Sequence, residues 1–199
     1  MKDAIDLVFP LSGSVVNPDY AAPLWQSLRT MLPWLEDEPA AGILPIAGTS
    51  AGDGTLYLGH RARLTLRLPQ HRVAAALALT GRQLDLGGTI EIGEARQRVL
   101  IASPAQYSPC VVFSCTGEEE FLALCTARLG EIGISSSLVC GRAQVKTAED
   151  GEIRGFRLML HGLTAAHSLA IQQLGLGEAR KLGCGIFVPH RTANAVGST

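Results

Sequence analysis

From Arg61 to Leu68 the chain reads RARLTLRL, with leucine at every second position over its latter half. Strand side chains point alternately to opposite faces, so Leu64, Leu66 and Leu68 share one face while Arg61, Arg63, Thr65 and Arg67 share the other. The pattern predicts a strand with one core face and one cationic face. A fold built around it needs a sheet, and the rest of the chain supplies the remaining strands.

Ala4 to Leu11 alternates as a first strand, and SGSVVNPD then breaks the pattern with Gly, Asn and Pro. Leu24, Leu28, Met31 and Leu35 recur at helical spacing behind Asp19, a candidate N-cap, and Pro33 ends or frays the last turn. AGILPIAG and the Arg61–Leu68 segment are strands, with TLYLG extending a hairpin arm between them. Val73 to Thr80 is a short helix closed by Gly81, and QLDLGGTIEIG is a strand with a Gly-Gly break.

The same order then recurs. RVLIASPAQYSPCVVFSC is an interrupted strand, and Thr116 with Glu119 predicts a capping box for a helix buried through Leu122, Cys125, Leu129 and Ile132. Residues 137–147 and 153–163 flank the turn AEDG as a hairpin. Ala166, Leu169, Ala170 and Leu174 mark a second helix, and GIFVPH a last strand. Two βαββαβ units in tandem predict an α+β protein of two ferredoxin-like domains, residues 1–94 and 95–199. That architecture hosts many functions and selects none of them.

Charge and cysteine usage narrow the classes. Residues 1–53 carry seven acids against Lys2 and Arg29, whereas residues 54–84 carry five arginines and no acid. Fourteen of the seventeen basic residues are arginine, the side chain suited to forked contacts with phosphate, although a GC-rich genome would give the same bias. The five cysteines form no C-x-x-C pair and the histidines do not cluster with them, so buried thiols are expected rather than a zinc site or a disulfide framework. The longest apolar runs fall short of the roughly 18 to 20 residues of a membrane helix, and the N-terminus has acids where a signal peptide needs an apolar core. A cytoplasmic protein without cofactor or metal is expected.

The segment 175–185, GLGEARKLGCG, holds four glycines and an Arg-Lys pair. It matches neither a Walker loop nor a dinucleotide fingerprint, because Lys181 precedes its glycine by two residues and Arg180 stands where a third glycine belongs. It also leaves a helix and enters a strand, the reverse of a phosphate-binding strand-to-helix turn. Two readings remain. The glycines could let a polyanion approach the backbone while Arg180 and Lys181 neutralise it, or the segment could be a flexible connection with a solvated basic pair.

HSLAIQQLGLGEARKLGCGIFVPHR resembles the C-terminal signature of the CRISPR repeat-processing endoribonucleases, in the repeat-associated RNA-binding superfamily, and is most similar to their MYXAN-type branch. DLVFPLSGS, LPWLEDEPAAGILPIAG, RLTLRLP and LTGRQLDLGGTIEIG extend the resemblance over nearly the whole chain. It implies tandem ferredoxin-like domains and metal-independent cleavage of CRISPR repeat RNA by the ribose 2′-OH, giving mature crRNA and a cyclic-phosphate end. It also implies possible retention in an effector complex with other subunits. It assigns RNA-backbone contacts to Gly175, Gly177, Gly183 and Gly185 and charge contacts to Arg180 and Lys181. Arg61, Arg63 and Arg67, three arginines on one strand with no acid nearby, favour phosphate contacts on their own account, although the solvated face of an antiparallel sheet would look the same.

The branch places a histidine just ahead of the first helix, where this sequence has Tyr20 after Asp19. Tyr20 could orient the 2′-OH or share its proton, and His60, beside the arginine strand, is the substitute acid or base; His161 is a weaker candidate and His71, His167 and His190 read as surface residues. Paired strand aromatics of the kind that stack bases are not expected, so shape and phosphate contacts would dominate recognition. The alternative function is a non-catalytic crRNA-binding subunit of the same family. A small-molecule enzyme would need a closed apolar pocket, and nothing in the sequence points to one.

Overall fold

The computed structural model describes residues 4–50 and 54–190. These fall into two compact units. The first runs through Leu100 and includes residues 145–153 and 179–184; the second comprises residues 101–144, 154–178 and those from Gly185. The strand at 96–99 therefore groups with the first unit, beyond the expected division after residue 94.

The first unit contains β1 (Ala4–Ser12), β2 (Val15–Val16), α1 (Ala21–Met31), β3 (Gly42–Leu44), β4 (Thr49–Ser50), β5 (Leu56–Tyr57), β6 (Arg63–Pro69), α2 (Val73–Ala76), β7 (Gln83–Asp85), β8 (Thr89–Ile92) and β9 (Arg96–Val99). Its main sheet has the order β3-β6-β1-β8-β7, with β9 also pairing β1. This is the ferredoxin-like arrangement, in which the first and third strands of the βαββαβ unit, β1 and β6, lie side by side at the centre. In the β1–β6 register Ile5 faces Leu68, Leu7 faces Leu66 and Phe9 faces Leu64. These side chains join Leu24 and Leu28 of α1 in one core. Each buried leucine contributes roughly 1.5–3 kcal/mol.

Several local expectations are corrected. Asp19 does not cap α1: its amide donates to Asn17 Oδ1, and the cap position is Tyr20 without a side-chain bond. The helix stops at Met31, because Pro33 opens a separate 3-10 turn that carries Leu35 into the core. QLDLGGTIEIG is a hairpin of β7 and β8 rather than one broken strand; Gly87 supplies its positive φ of 87°.

The largest correction concerns β6. Its second face is not a solvated cationic surface: Thr65 and Arg67 are buried, Arg67 to 1 % exposure. Directly across β1, Asp6 pairs with Arg67 on one side and with Arg98 of β9 on the other. Asp6 Oδ1 accepts from Arg67 Nε at 2.7 Å, and Oδ2 accepts from Arg67 Nη2 at 3.1 Å and Arg98 Nη2 at 2.9 Å. One buried carboxylate thus joins three strands through cross-strand partners.

The second unit contains β10 (Ala105–Val111), α3 (Glu118–Glu131), β11 (Ser137–Ala148), β12 (Gly151–His161), α4 (Ala165–Leu174) and β13 (Val188–Pro189), with sheet order β11-β12-β10-β13. It is the second βαββαβ unit, and the tip of its hairpin belongs to the first compact unit. The buried stripe of α3 is Phe121, Cys125 and Leu129, one residue round from the expected Leu122. Glu120, not Glu119, closes the turn at Thr116, accepting from both its amide and hydroxyl at 2.8 Å. In α4 the buried residues are Ser168, Ile171 and Gln172, while Leu174 is exposed; Ser168 Oγ accepts from Ser103 N and Gln106 Nε2, so a polar seam replaces the expected alanine-leucine face.

Arg67→Met is expected to destabilise the protein by about 3 kcal/mol in urea denaturation at neutral pH, since it strips a buried carboxylate of its bidentate partner. A loss below about 1 kcal/mol would mean that Arg98 alone suffices for Asp6.

Candidate nucleic-acid interface

The basic pair of the glycine segment lies in the first unit, on the turn 179–184. Ala179 enters it with φ 59° and Gly183 leaves it with φ 77°, bracketing a 3-10 turn of Arg180–Leu182. The amides of Leu182 and Cys184 both donate to Ala179 O, closing the turn on itself. Lys146 Nζ donates to Leu182 O at 2.9 Å.

Arg180 and Lys181 are half-buried and already engaged. Lys181 Nζ donates to Glu38 O at 2.6 Å and Ala41 O at 3.0 Å, and Arg180 Nη2 donates to Ala40 O at 3.3 Å. Burial pushes the Lys181 ammonium down to about 8, with the charge of Arg180 adding to the effect and Glu38 opposing it. Burial, then the nearby Arg67, lowers Arg180 to about 10. The turn is therefore a positively charged element packed onto residues 38–41, not a solvated basic pair.

Beside it lies a cluster that the sequence did not single out. The Glu38 carboxylate is buried and accepts from Arg72 Nε at 3.0 Å, with His71 Nε2 at 3.4 Å and half exposed. The Arg72 guanidinium stacks over the Trp34 ring at 5.0 Å. Burial works against ionisation of Glu38, but the Arg72 hydrogen bond, the Ala40 amide and the charges of Arg72 and His71 outweigh it and hold the carboxyl below its usual range. An imidazole held on a carboxylate next to cations can exchange a proton with a ligand oxygen. No spacing rule links residue 38 to residue 71, so this pairing was invisible in the sequence.

The four glycines have packing reasons of their own. A Cβ on Gly177 would stand 2.3 Å from Val112 O, and one on Gly185 would meet Leu176 O at 2.2 Å. On Gly183 it would reach Ile43 O at 3.2 Å, and Gly175 ends α4 with φ 70°. The amides of Gly175 and Gly185 are spent on Ile171 O and Cys110 O. These positions demand glycine whatever the turn binds.

Tyr20 is half-buried against the core of the first unit. Its hydroxyl accepts from Ile46 N at 2.6 Å and donates to Ile46 O at 3.2 Å. Burial pushes the phenol up to about 12, against the opposing pull of the Ile46 bond, so phenolate is absent near neutral pH. His60 lies exposed on the turn before β6 together with exposed Arg61. Arg63 Nη1 donates to the carbonyls of His60 at 3.2 Å and Ala62 at 2.7 Å, so this guanidinium braces the turn. Arg67, sealed on Asp6, has no face to offer a phosphate. The structure thus separates the expected residues into an exposed pair, His60 and Arg61, a half-buried turn, Arg180 and Lys181, and the internal braces Tyr20, Arg63 and Arg67.

Comparison with known proteins identifies relatives along the whole length. A family model described as Cas6 Crispr matches residues 5–192. The CRISPR-associated endonuclease Cas6 of Myxococcus xanthus strain DK1622 is 34 % identical over 196 residues, covering 98 % of this chain and 85 % of that protein. Among solved structures, a RAMP protein described as binding different RNA substrates superposes with a TM-score of 0.70 at 11 % identity, covering 94 % of this chain and 100 % of that one. A Cas6-related protein of Pyrococcus furiosus superposes with a TM-score of 0.65 at 13 % identity, covering 92 % and 97 %. The two structures share the fold, tandem ferredoxin-like units.

Substitution isolates the clasp at Tyr20. Tyr20→Phe leaves the buried Ile46 amide without its acceptor and is expected to lower stability by about 1–3 kcal/mol. Unchanged thermal and urea midpoints would mean that the Tyr20–Ile46 bond is not made in solution.

Proposed function

The chain belongs to the Cas6 family, and we propose that it is a cytoplasmic endoribonuclease that binds and cleaves CRISPR repeat RNA without a metal ion. The observation that carries this reading is its similarity over nearly the full chain to the Myxococcus xanthus endonuclease. The reaction is a transesterification. The ribose 2′-oxygen forms a bond to phosphorus as the bond from phosphorus to the 5′-oxygen breaks; the 2′-OH proton passes to a base and an acid protonates the leaving oxygen. The products are a cyclic phosphate and a free 5′-OH. A base, an acid and cations facing the phosphorane complete it, with no step that requires a metal.

The cations are those of the turn 179–184, with Arg61 on the turn before β6. Lys181 has three donor hydrogens, of which Glu38 and Ala41 take two, leaving one for a phosphate. Proton transfer falls to histidine: His60, exposed among arginines, and His71, held by Glu38. Tyr20 keeps a positioning role through its bond to Ile46. After cleavage the crRNA stays bound and joins an effector complex with other subunits. A second reading, an RNA-binding subunit with weak or no cleavage, is favoured by one observation: the residue standing at the branch's histidine is a phenol that remains protonated.

Cognate repeat RNA incubated in EDTA is expected to be cut at one position, and a 2′-deoxy substitution there is expected to abolish cutting. His60→Ala and His71→Ala are each expected to slow single-turnover cleavage by about 10² to 10⁴ with little change in Kd. Tight binding without 2′-deoxy-sensitive cleavage would select the second reading.

Affinity should also follow the charge of Lys181. As pH rises through about 8, the ammonium deprotonates and repeat RNA binding weakens between pH 7 and pH 9 at constant salt. Lys181→Arg, which stays charged, is expected to flatten that dependence. Equal wild-type Kd at both pH values would mean that Lys181 does not meet a phosphate.

A further inference from the structure

The second sheet has a face that the nuclease reading leaves unused. Along β10, Gln106 and Ser108 are fully buried, and Gln106 bonds to Ser168 of α4. Tyr107 therefore points to the side away from the helices. Along β12, Leu158 and Leu160 enter the core with Phe121 and Ile171, so Arg157 and Met159 project to the same open side as Tyr107. Tyr107 lies directly across from Met159 on β12 and from Val188 on β13.

The strands carry no paired aromatics of their own here; Tyr107 of β10 meets instead a ring just beyond the end of β13, that of His190. The rings of Tyr107 and His190 have centroids 5.5 Å apart at 51°, the spacing and tilt of an interacting pair. They border a shallow hollow of about 250 Å³, shared with Val139, Gly141, Arg157 and Met159. Gly141 keeps its floor low, because a Cβ there would press on Arg157 Cβ at 3.0 Å. Arg157 and His190 are exposed, and among the described residues none lining the hollow is acidic.

We propose that this face is a stacking subsite for an unpaired RNA base, with Tyr107 and His190 offering the rings, Met159 the apolar floor and Arg157 the charge for the adjoining phosphate. The inference rests on the repeat-RNA reading above and adds to it a base-contacting surface on the second unit. The hollow is smaller than the roughly 300 Å³ of an enclosing small-molecule pocket, yet it is open along the sheet, which suits one planar group entering from a chain. Tyr107 and Met159 stand on the two central strands, where a four-stranded sheet of this topology presents stacking side chains to a single strand. An arginine without an acidic neighbour in the hollow favours a polyanion over a protein partner.

The test uses the full chain and repeat RNA carrying 4-thiouridine at its unpaired positions. Irradiation is expected to crosslink the RNA to the peptide containing Tyr107 or the one containing His190. Tyr107→Ala is expected to weaken repeat RNA about 5- to 100-fold, whereas Tyr107→Phe and Tyr107→Trp, which retain a π-face, stay near wild type. Arg157→Ala is expected to reduce the slope of log affinity against log salt by about 0.7. Thermal melts of each variant exclude unfolding as the cause. Wild-type repeat binding that Tyr107→Ala leaves unaltered would overturn the subsite while leaving the repeat-RNA reading intact. A change in sedimentation of Tyr107→Ala with RNA affinity unchanged would assign the face to a second copy of the chain and likewise overturn it. Failure of the wild type to bind repeat RNA would instead overturn the reading on which the subsite rests.

Discussion

The buried carboxylate of Asp6 ties three strands of the first unit together. It sits on a central strand and takes guanidinium groups from the strands on both sides, Arg67 at 1 % exposure and Arg98 nearer to solvent. A slip of one residue in either register would leave a buried charge without its partner, so the ion pairs specify the sheet as well as hold it. The opposite face of the same strands is the leucine core. At Asp6, Thr65 and Arg67 the second face of these strands is therefore closed to solvent, while Val8 and Pro10 of β1 stay half-buried.

That constraint bears directly on the proposed RNA contacts. The arginine-rich strand that looks most like a phosphate surface gives Arg67 to Asp6 and Arg63 to the carbonyls of its own turn, and only Arg61 is exposed at its start. The turn 179–184 carries two further cations of this unit, lowered in pKa by burial and held on the carbonyls of residues 38–41. Fixed donors of this kind lose little freedom when a phosphate arrives, and that pre-organisation suits recognition of a backbone more than a pair of solvated side chains would. The second unit has instead an open sheet face bordered by the rings of Tyr107 and His190.

The repeated βαββαβ order was legible because it rests on local pattern: alternation in β1, β6 and β12, helical spacing in α1, and turn residues between them. What escaped the sequence is long-range. Arg67 reads as solvated until Asp6, far away in the chain, is placed across from it. His71 and Glu38, or Tyr107 and His190, meet only through the sheet topology. The glycine segment was legible as a connection with demanding backbone geometry, but not that carbonyls of Val112 and Leu176 impose the demand. The face of α4 was misplaced because polar Ser168 and Gln172 are buried where alanine and leucine were expected.

Hydrogen–deuterium exchange of the full chain with and without uncleavable 2′-deoxy repeat RNA tests this account most directly. It predicts slower exchange on RNA binding in the peptides covering residues 179–184 and 38–41, and none in β1, whose amides are already locked in the sheet. Unchanged exchange across residues 179–184 with RNA bound would contradict the claim that this anchored turn holds the RNA.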